Sequence, residues 1–219
     1  MAKHAEDDIR LIICNNDQTI KIFSVPSMNL VTTLNYQSAV NNVGVSPDGS
    51  MMAVVGDSNQ IHLHSISSAN EYKKMATLTA QKDAAFSISW DNTSTRFAAS
   101  CQDGHVCVWD VRHMKNKLAV LNSFQRNQKG ACRVVKFSQT NSVDLLAFSE
   151  HASYFNIVDA RTFETQQSIR VAPQGMDLHL TGLTFSPDSD SVFVGIEQGI
   201  LEYQIDLISR RSFPTGSFI

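Results

Sequence analysis

Residues 103–110 read Asp103-Gly104-His105-Val106-Cys107-Val108-Trp109-Asp110, an Asp-Gly turn followed at once by an apolar, β-branched run that ends on Trp109. Near-alternating apolar positions suit a half-buried strand, and the turn ahead of the run supplies the reversal that pairs it with its neighbour. Similar runs occur at Phe155, Ile157 and Val158 and at Leu201, Tyr203 and Ile205, each bounded by turn residues. No stretch keeps a helical period over three turns. The predicted class is all-β.

Working outward from that run, the chain repeats itself. Segments 40–49, 84–94, 131–140 and 179–188 align on Val45, Trp90, Phe137 and Phe185, which stand 45, 47 and 48 residues apart. A second marker follows each, at His62 to Ser65, Val106 to Asp110, Phe155 to Asp159 and Glu202 to Asp206. An earlier copy is Asp17-Gln18-Thr19-Ile20-Lys21-Ile22-Phe23. Each unit holds four strands around a turn of Ser-Pro-Asp type and a later Asp/Gly turn. One such sheet cannot bury both faces, but several stacked around an axis can, with Trp90, Val108, Trp109, Phe137 and Phe185 expected in the core.

Composition narrows the class of function. The chain has 219 residues, 42% hydrophobic and 18% charged, so it can bury a core. A formal net charge of −3 argues against a globally basic nucleic-acid binder. Cys14, Cys101, Cys107 and Cys132 are too scattered for a disulfide framework. No apolar run approaches the roughly 18 residues of a membrane span. Residues 1–10 carry three acids and no signal-type apolar region, so the expected location is cytoplasmic or nuclear.

The run at 103–110 and the earlier DQTIKIF resemble the signature of the WD40 (β-transducin-like) repeat, and SPDG at 46–49 and SPDS at 186–189 resemble its first turn. The resemblance covers residues 9–213. The stretches 153–161 and 170–195 are also similar to a poorly characterised WD-repeat family of fungi and plants. It implies a WD40-type β-propeller with blades at 40–79, 84–122, 131–171 and 179–213, a partial, three-stranded blade at 9–34, a polar tail at 1–8 and a second tail at 214–219. About four complete blades fall short of the common seven. Either the chain is a fragment or shortened form, or it is a small ring or open arc. An arc leaves unpaired edges, so a truncated, incomplete ring is the preferred expectation.

The family would tie a turn Asp to a Ser/Thr, the Trp and an upstream His. Here the resemblance assigns structural roles to Ser100, Asp103, Trp109, Asp110 and Asp159, but the blade at 84–122 lacks the His. His179 stands before the last unit, where Ile205 replaces the Trp and Glu197 is the turn candidate.

Chemistry-bearing motifs are absent. No G-x-S-x-G elbow and no phosphate-cradling glycine loop occurs, so no catalytic residue, cofactor site or enzyme activity is expected. His62 and His64 share one side of a predicted strand, read as exposed, but no third ligand is spaced to join them, and no metal is expected. Between Val111 and Val143 there is no Asp or Glu, while Arg112, Lys115, Lys117, Arg126, Lys129, Arg133 and Lys136 supply positive charge. The expected interaction surface is one loop side carrying Arg112, Lys115, Arg126, Lys129 and Arg161. It would receive a protein partner, acidic or phosphorylated. Residues 97–112, ending in Trp109-Asp110-Val111-Arg112, also resemble the box of cullin–RING ligase substrate receptors. That resemblance implies an adaptor contact at Arg112, with a weaker copy at Arg161. The principal expectation is a non-catalytic interaction scaffold.

Overall fold

The computed structural model describes residues 2–4, 8–67, 71–125, 127–140 and 143–206. Arg126 and the expected tail at 214–219 lie outside them.

Five antiparallel sheets follow one another along the chain. Sheet one joins β1 (Ala2–His4), β2 (Asp8–Cys14), β3 (Thr19–Val25) and β4 (Leu30–Asn35). Sheet two joins β5 (Val40–Val45), β6 (Met51–Gly56), β7 (Ser58–Ile66) and β8 (Tyr72–Thr79). Sheet three holds β9 (Ala85–Trp90), β10 (Arg96–Cys101), β11 (His105–Asp110) and β12 (Ala119–Asn122). Sheet four holds β13 (Cys132–Phe137), β14 (Leu145–Glu150), β15 (Tyr154–Asp159) and β16 (Gln166–Arg170). Sheet five holds β17 (Leu180–Phe185), β18 (Ser191–Ile196) and β19 (Gly199–Gln204). The backbone at 2–4 pairs with β2, so part of the expected N-terminal tail is a strand and the first sheet has four strands rather than three. A fourth strand for sheet five would fall largely beyond residue 206, outside the described residues.

Every strand is short because turn chemistry interrupts it. Asp48 shows how: its carboxylate accepts from the Ser46 and Ser50 hydroxyls and the Ser50 N–H, and Gly49 takes a positive φ of 72°. A backbone held that way cannot continue a strand.

Four apolar cores lie between consecutive sheets. Ile20 and Ile22 meet Met52 and Val54; Ile61 and Leu63 meet Trp90, Phe97 and Trp109; Val106 and Val108 meet Val135 and Phe137; Phe155 and Ile157 meet Leu183 and Phe185. Each inner sheet therefore buries both faces only through its two neighbours. Trp90, Trp109, Phe137, Phe185 and Val108, expected as core, are all buried. Among the described residues, the substantial packing runs from each sheet to the next, and closure of first onto last is not seen.

Side chains also stitch the innermost strands together. Trp90 Nε1 donates to the Gly44 carbonyl at 2.9 Å and Ile88 N–H to Asn42 Oδ1 at 3.2 Å, joining β5 to β9. Ser87 and Ser89 hydroxyls accept from the Val135 and Phe137 N–H groups, joining β9 to β13. The register places Val134 and Lys136 at the corresponding positions of β13, and neither side chain can accept a hydrogen bond. Burial lowers the pKa of Lys136 there, and among the described residues no carboxylate pairs with it.

The histidine pair departs from expectation. His64 is buried at 5% exposure, because β7 turns this face onto sheet one rather than to solvent. Its ring meets Tyr36 edge-on at 6.0 Å and His62 meets the same tyrosine at 5.2 Å. Nδ1 of His64 is enclosed without a hydrogen-bond partner. Burial, reinforced by His62 and Lys74, pushes its pKa from 6.5 down to about 4. The neutral form therefore supports a stability that is complete above pH 6.5 and is lost as the pH falls through about 4. Over this drop, at ~1.4 kcal/mol per unit, the loss is at most about 3–4 kcal/mol. Urea midpoints between pH 7 and 4.5 should fall more steeply for the wild type than for His64→Leu; parallel curves would contradict a buried neutral imidazole. Among the described residues no group of three or more His, Cys, Asp or Glu side chains could hold a metal.

Candidate functional site: the cleft between sheets three and four

Strand direction divides the loops between two ends of the array. One end carries the crossovers between sheets and the turns from second to third strand; the other carries the remaining hairpin turns. This parity splits the expected binding set. Arg112, Lys115 and Arg161 follow third strands and lie at the hairpin end, whereas Lys129 lies in a crossover. The two groups are separated by at least the length of β12, about 13 Å at ~3.3 Å per residue. The single basic loop surface is thus corrected: these residues do not converge, and Arg126 falls outside the described residues.

At the hairpin end two arginines are set in the same geometry. The Arg112 Nε donates to Asp110 Oδ1 at 2.9 Å and its Nη2 to Oδ2; Arg161 repeats this on Asp159. Backbone N–H groups of both arginines bond the same carboxylates. The Arg112 fork pushes the Asp110 pKa down to about 2. Lys115 is exposed nearby in sequence. Behind this surface, Arg96 bonds Asp91 and donates to the Ala160 carbonyl, clipping sheet three to sheet four.

The residues given structural roles do not form one network. Ser100 is fully buried and donates to the Arg133 carbonyl at 3.4 Å. Asp103 instead accepts from the Lys82 N–H and faces His105 Nδ1 at 2.9 Å. Trp109 stacks on Phe97, with ring centroids 5.3 Å apart. Each element thus has its own partners, with apolar packing between them.

The crossover end holds a cleft of about 720 Å³. One wall is the turn at Asp103 and His105 with Asp83; the other carries Arg133 and His151, and residues 122–125 and 127–131 of the crossover complete it. Glu150 fixes that crossover. Its buried carboxylate accepts from the Phe124 N–H at 2.6 Å, the Gln125 N–H at 3.2 Å and Asn156 Nδ2 at 2.9 Å. Burial raises its pKa, opposed by these donors. A short 3-10 turn, Gln128–Gly130, then leads into β13, with Asn127 accepting from the Lys129 N–H. A Cβ on Gly130 would stand 1.9 Å from the Gln125 carbonyl oxygen, so this tight path requires glycine. Lys129 pairs with Asp177, tying the crossover to the segment before β17.

On the second wall, the Arg133 guanidinium centre sits 4.3 Å from the centroid of the Phe86 ring. The rings of His151 and His179 lie 4.8 Å apart, and His179 approaches Glu197 at 3.9 Å, the contact its sequence position anticipated. Burial, then Arg133 and His179, holds the His151 pKa below its ordinary value. Sequence reasoning counted Arg133 only as part of a charge run and did not single out His151. The one available signal was that Phe86 and Arg133 stand about one repeat apart.

Comparisons with known proteins agree with this architecture. The WD domain, G-beta repeat, matches residues 72–110, which run from β8 through β9, β10 and β11. An Uncharacterised protein domain (DUF2415) matches residues 130–170, the span of sheet four. An uncharacterised protein of Schizosaccharomyces pombe is 29% identical over 97% of this chain and 63% of its own length. An uncharacterised protein of Saccharomyces cerevisiae is 27% identical over 73% of this chain and 27% of its own. WD repeat-containing protein 1 of Xenopus tropicalis is 27% identical over 47% of this chain and 17% of its own. The chain thus spans less than two thirds of each of these relatives. With the repeat match running from the last strand of sheet two through the first three strands of sheet three, within five consecutive antiparallel sheets, the chain contains a WD40 repeat in an array of WD40-propeller type.

Proposed function

We propose that the chain is a non-catalytic scaffold that presents the crossover-end cleft between sheets three and four to a protein partner in the cytosol or nucleus. The observation that carries this reading is the cleft itself. Its wall is a loop locked by a buried carboxylate, so the surface is rigid before a partner arrives. Rigid loops on a stacked-sheet frame suit recognition, and the fold leaves the partner's identity to the side chains. Among the described residues no helix is long and apolar enough to cross a membrane.

A second reading, docking to a cullin–RING ligase adaptor, is favoured by the duplicated Asp–Arg forks at Asp110–Arg112 and Asp159–Arg161. A guanidinium pre-aligned by its own carboxylate is well placed for a protein contact. The two readings use opposite ends of the array, and lysines report on each. Lys82 and Lys129 stand at the crossover end, Lys115 and Lys117 at the hairpin end.

Affinity capture from the native host, with amine crosslinking and mass spectrometry, separates them. Partner crosslinks at Lys82 and Lys129, unchanged in an Arg112→Ala, Arg161→Ala double variant, are expected. Crosslinks confined to Lys115 and Lys117, with an adaptor lost from the folded double variant, would overturn the scaffold reading for the ligase one.

A further inference from the structure

Within the cleft, one cation is placed without a counter-charge. Arg133 is partly buried, its guanidinium lies on the Phe86 ring, and among the described residues no carboxylate pairs with it. His151 lines the same wall. The surrounding acids are engaged elsewhere. Glu150 is buried under the donors of the crossover, and Asp103 is taken by the Lys82 N–H and His105. Asp177 is held by Lys129 and Ser153, Glu197 faces His179, and Asp83 accepts from the Ala84 N–H.

We infer that Arg133 and His151 form a subsite for an anionic side chain, a carboxylate or a phosphoester, on an extended segment of the partner. The inference rests on the scaffold reading and specifies the chemistry the cleft would accept. A guanidinium seated on an aromatic face loses little freedom when it binds, and its planar fork matches a carboxylate or a phosphate. The apolar ring beneath it excludes water and strengthens the contact. Arg133 supplies the positive charge on this wall, and the His151 ring, neutral through its lowered pKa, can donate a hydrogen bond to the same anion. A cleft of this volume takes a few residues of extended chain, whose amides can meet polar groups such as Asn122 and Gln128 on the remaining walls.

The test is an NMR titration of the isotope-labelled full chain. The probes are blocked Gly/Ser hexapeptides with a central Glu, phosphoserine or Gln. Saturable shifts at the Arg133 Nε–Hε and His151 ring signals are expected with at least one anionic peptide, at least tenfold tighter than with the Gln peptide. They should weaken at least tenfold in Arg133→Gln and in His151→Gln, each checked for a native spectrum, and persist in Arg112→Ala. Binding by the phosphoserine peptide alone assigns the phosphoester; binding by both shows that a carboxylate suffices. Equal binding of the three peptides, no binding at all, or binding indifferent to Arg133→Gln overturns the subsite. A captured partner that ignores Arg133→Gln retires the subsite and leaves the scaffold standing. Anion-selective binding by a chain that captures no partner retains the subsite and retires the scaffold reading.

Discussion

Trp109→Ala is expected to cost about 3–5 kcal/mol, the usual range for truncating a buried aromatic to alanine. Trp109 is 2% exposed and stacks nearly parallel on Phe97, which in turn meets Trp90 at 5.1 Å. The register explains the alignment: Phe97 stands opposite Trp90 on one neighbouring strand and opposite Trp109 on the other. The three rings form a row across β9, β10 and β11 on the face that packs against Ile61 and Leu63 of sheet two. Removing the end of that row leaves a cavity lined by fixed strands, which cannot collapse into it. Against a typical domain stability of ~5–15 kcal/mol, the loss is a large fraction. Urea unfolding should show a lower midpoint with unchanged slope, and Trp109→Phe should recover part of the difference. An unchanged midpoint for the alanine variant would disprove the blade packing.

Asp91→Ala is the second large effect, at about 3–5 kcal/mol, because it strands a partly buried cation. Asp91 is 3% exposed and accepts from the Thr95 and Arg96 N–H groups, the Thr93 hydroxyl and Arg96 Nε. Arg96 also reaches the Ala160 carbonyl and lies between the Phe137 and Phe163 rings, at 6.0 and 5.8 Å. Without its carboxylate the guanidinium stays enclosed by apolar surface from sheet four. Asp91→Asn keeps some acceptor capacity and should cost less. Chemical denaturation of the three proteins checks the order; equal midpoints for wild type and Asp91→Ala would show that the clip contributes nothing.

The sheets were legible because period-two runs and Asp- or Gly-containing turns are local signals. Trp90, Trp109, Phe137 and Phe185 stood out as core for the same reason: each ends or anchors a run. Placement of the loops was also present in the sequence but required counting strands. Successive antiparallel strands reverse, so Arg112 after a third strand and Lys129 after a fourth cannot share an end. His64 was illegible because its burial involves Tyr36, which follows the last strand of the previous sheet. The same holds for the cleft: the contacts of Arg133 with Phe86 and of His151 with His179 each join neighbouring sheets. Repetition indicates that sheets stack, but side chains in the seams decide what they present.

The uneven stitching of the innermost strands gives the array a direction. Asn42, Ser87 and Ser89 anchor the incoming strand across two successive seams, whereas Val134 and Lys136 offer β17 no such anchor. Sheet five is held instead by the apolar core it shares with sheet four and by bonds outside the strand ladder, from Gln139 N–H to Ser189 Oγ, from Ser153 N–H to the Leu178 carbonyl and from Lys129 to Asp177. The grip between neighbouring sheets thus changes character along the chain, from acceptor atoms inside the ladder at sheets two to four to core area and loop bonds at sheet five.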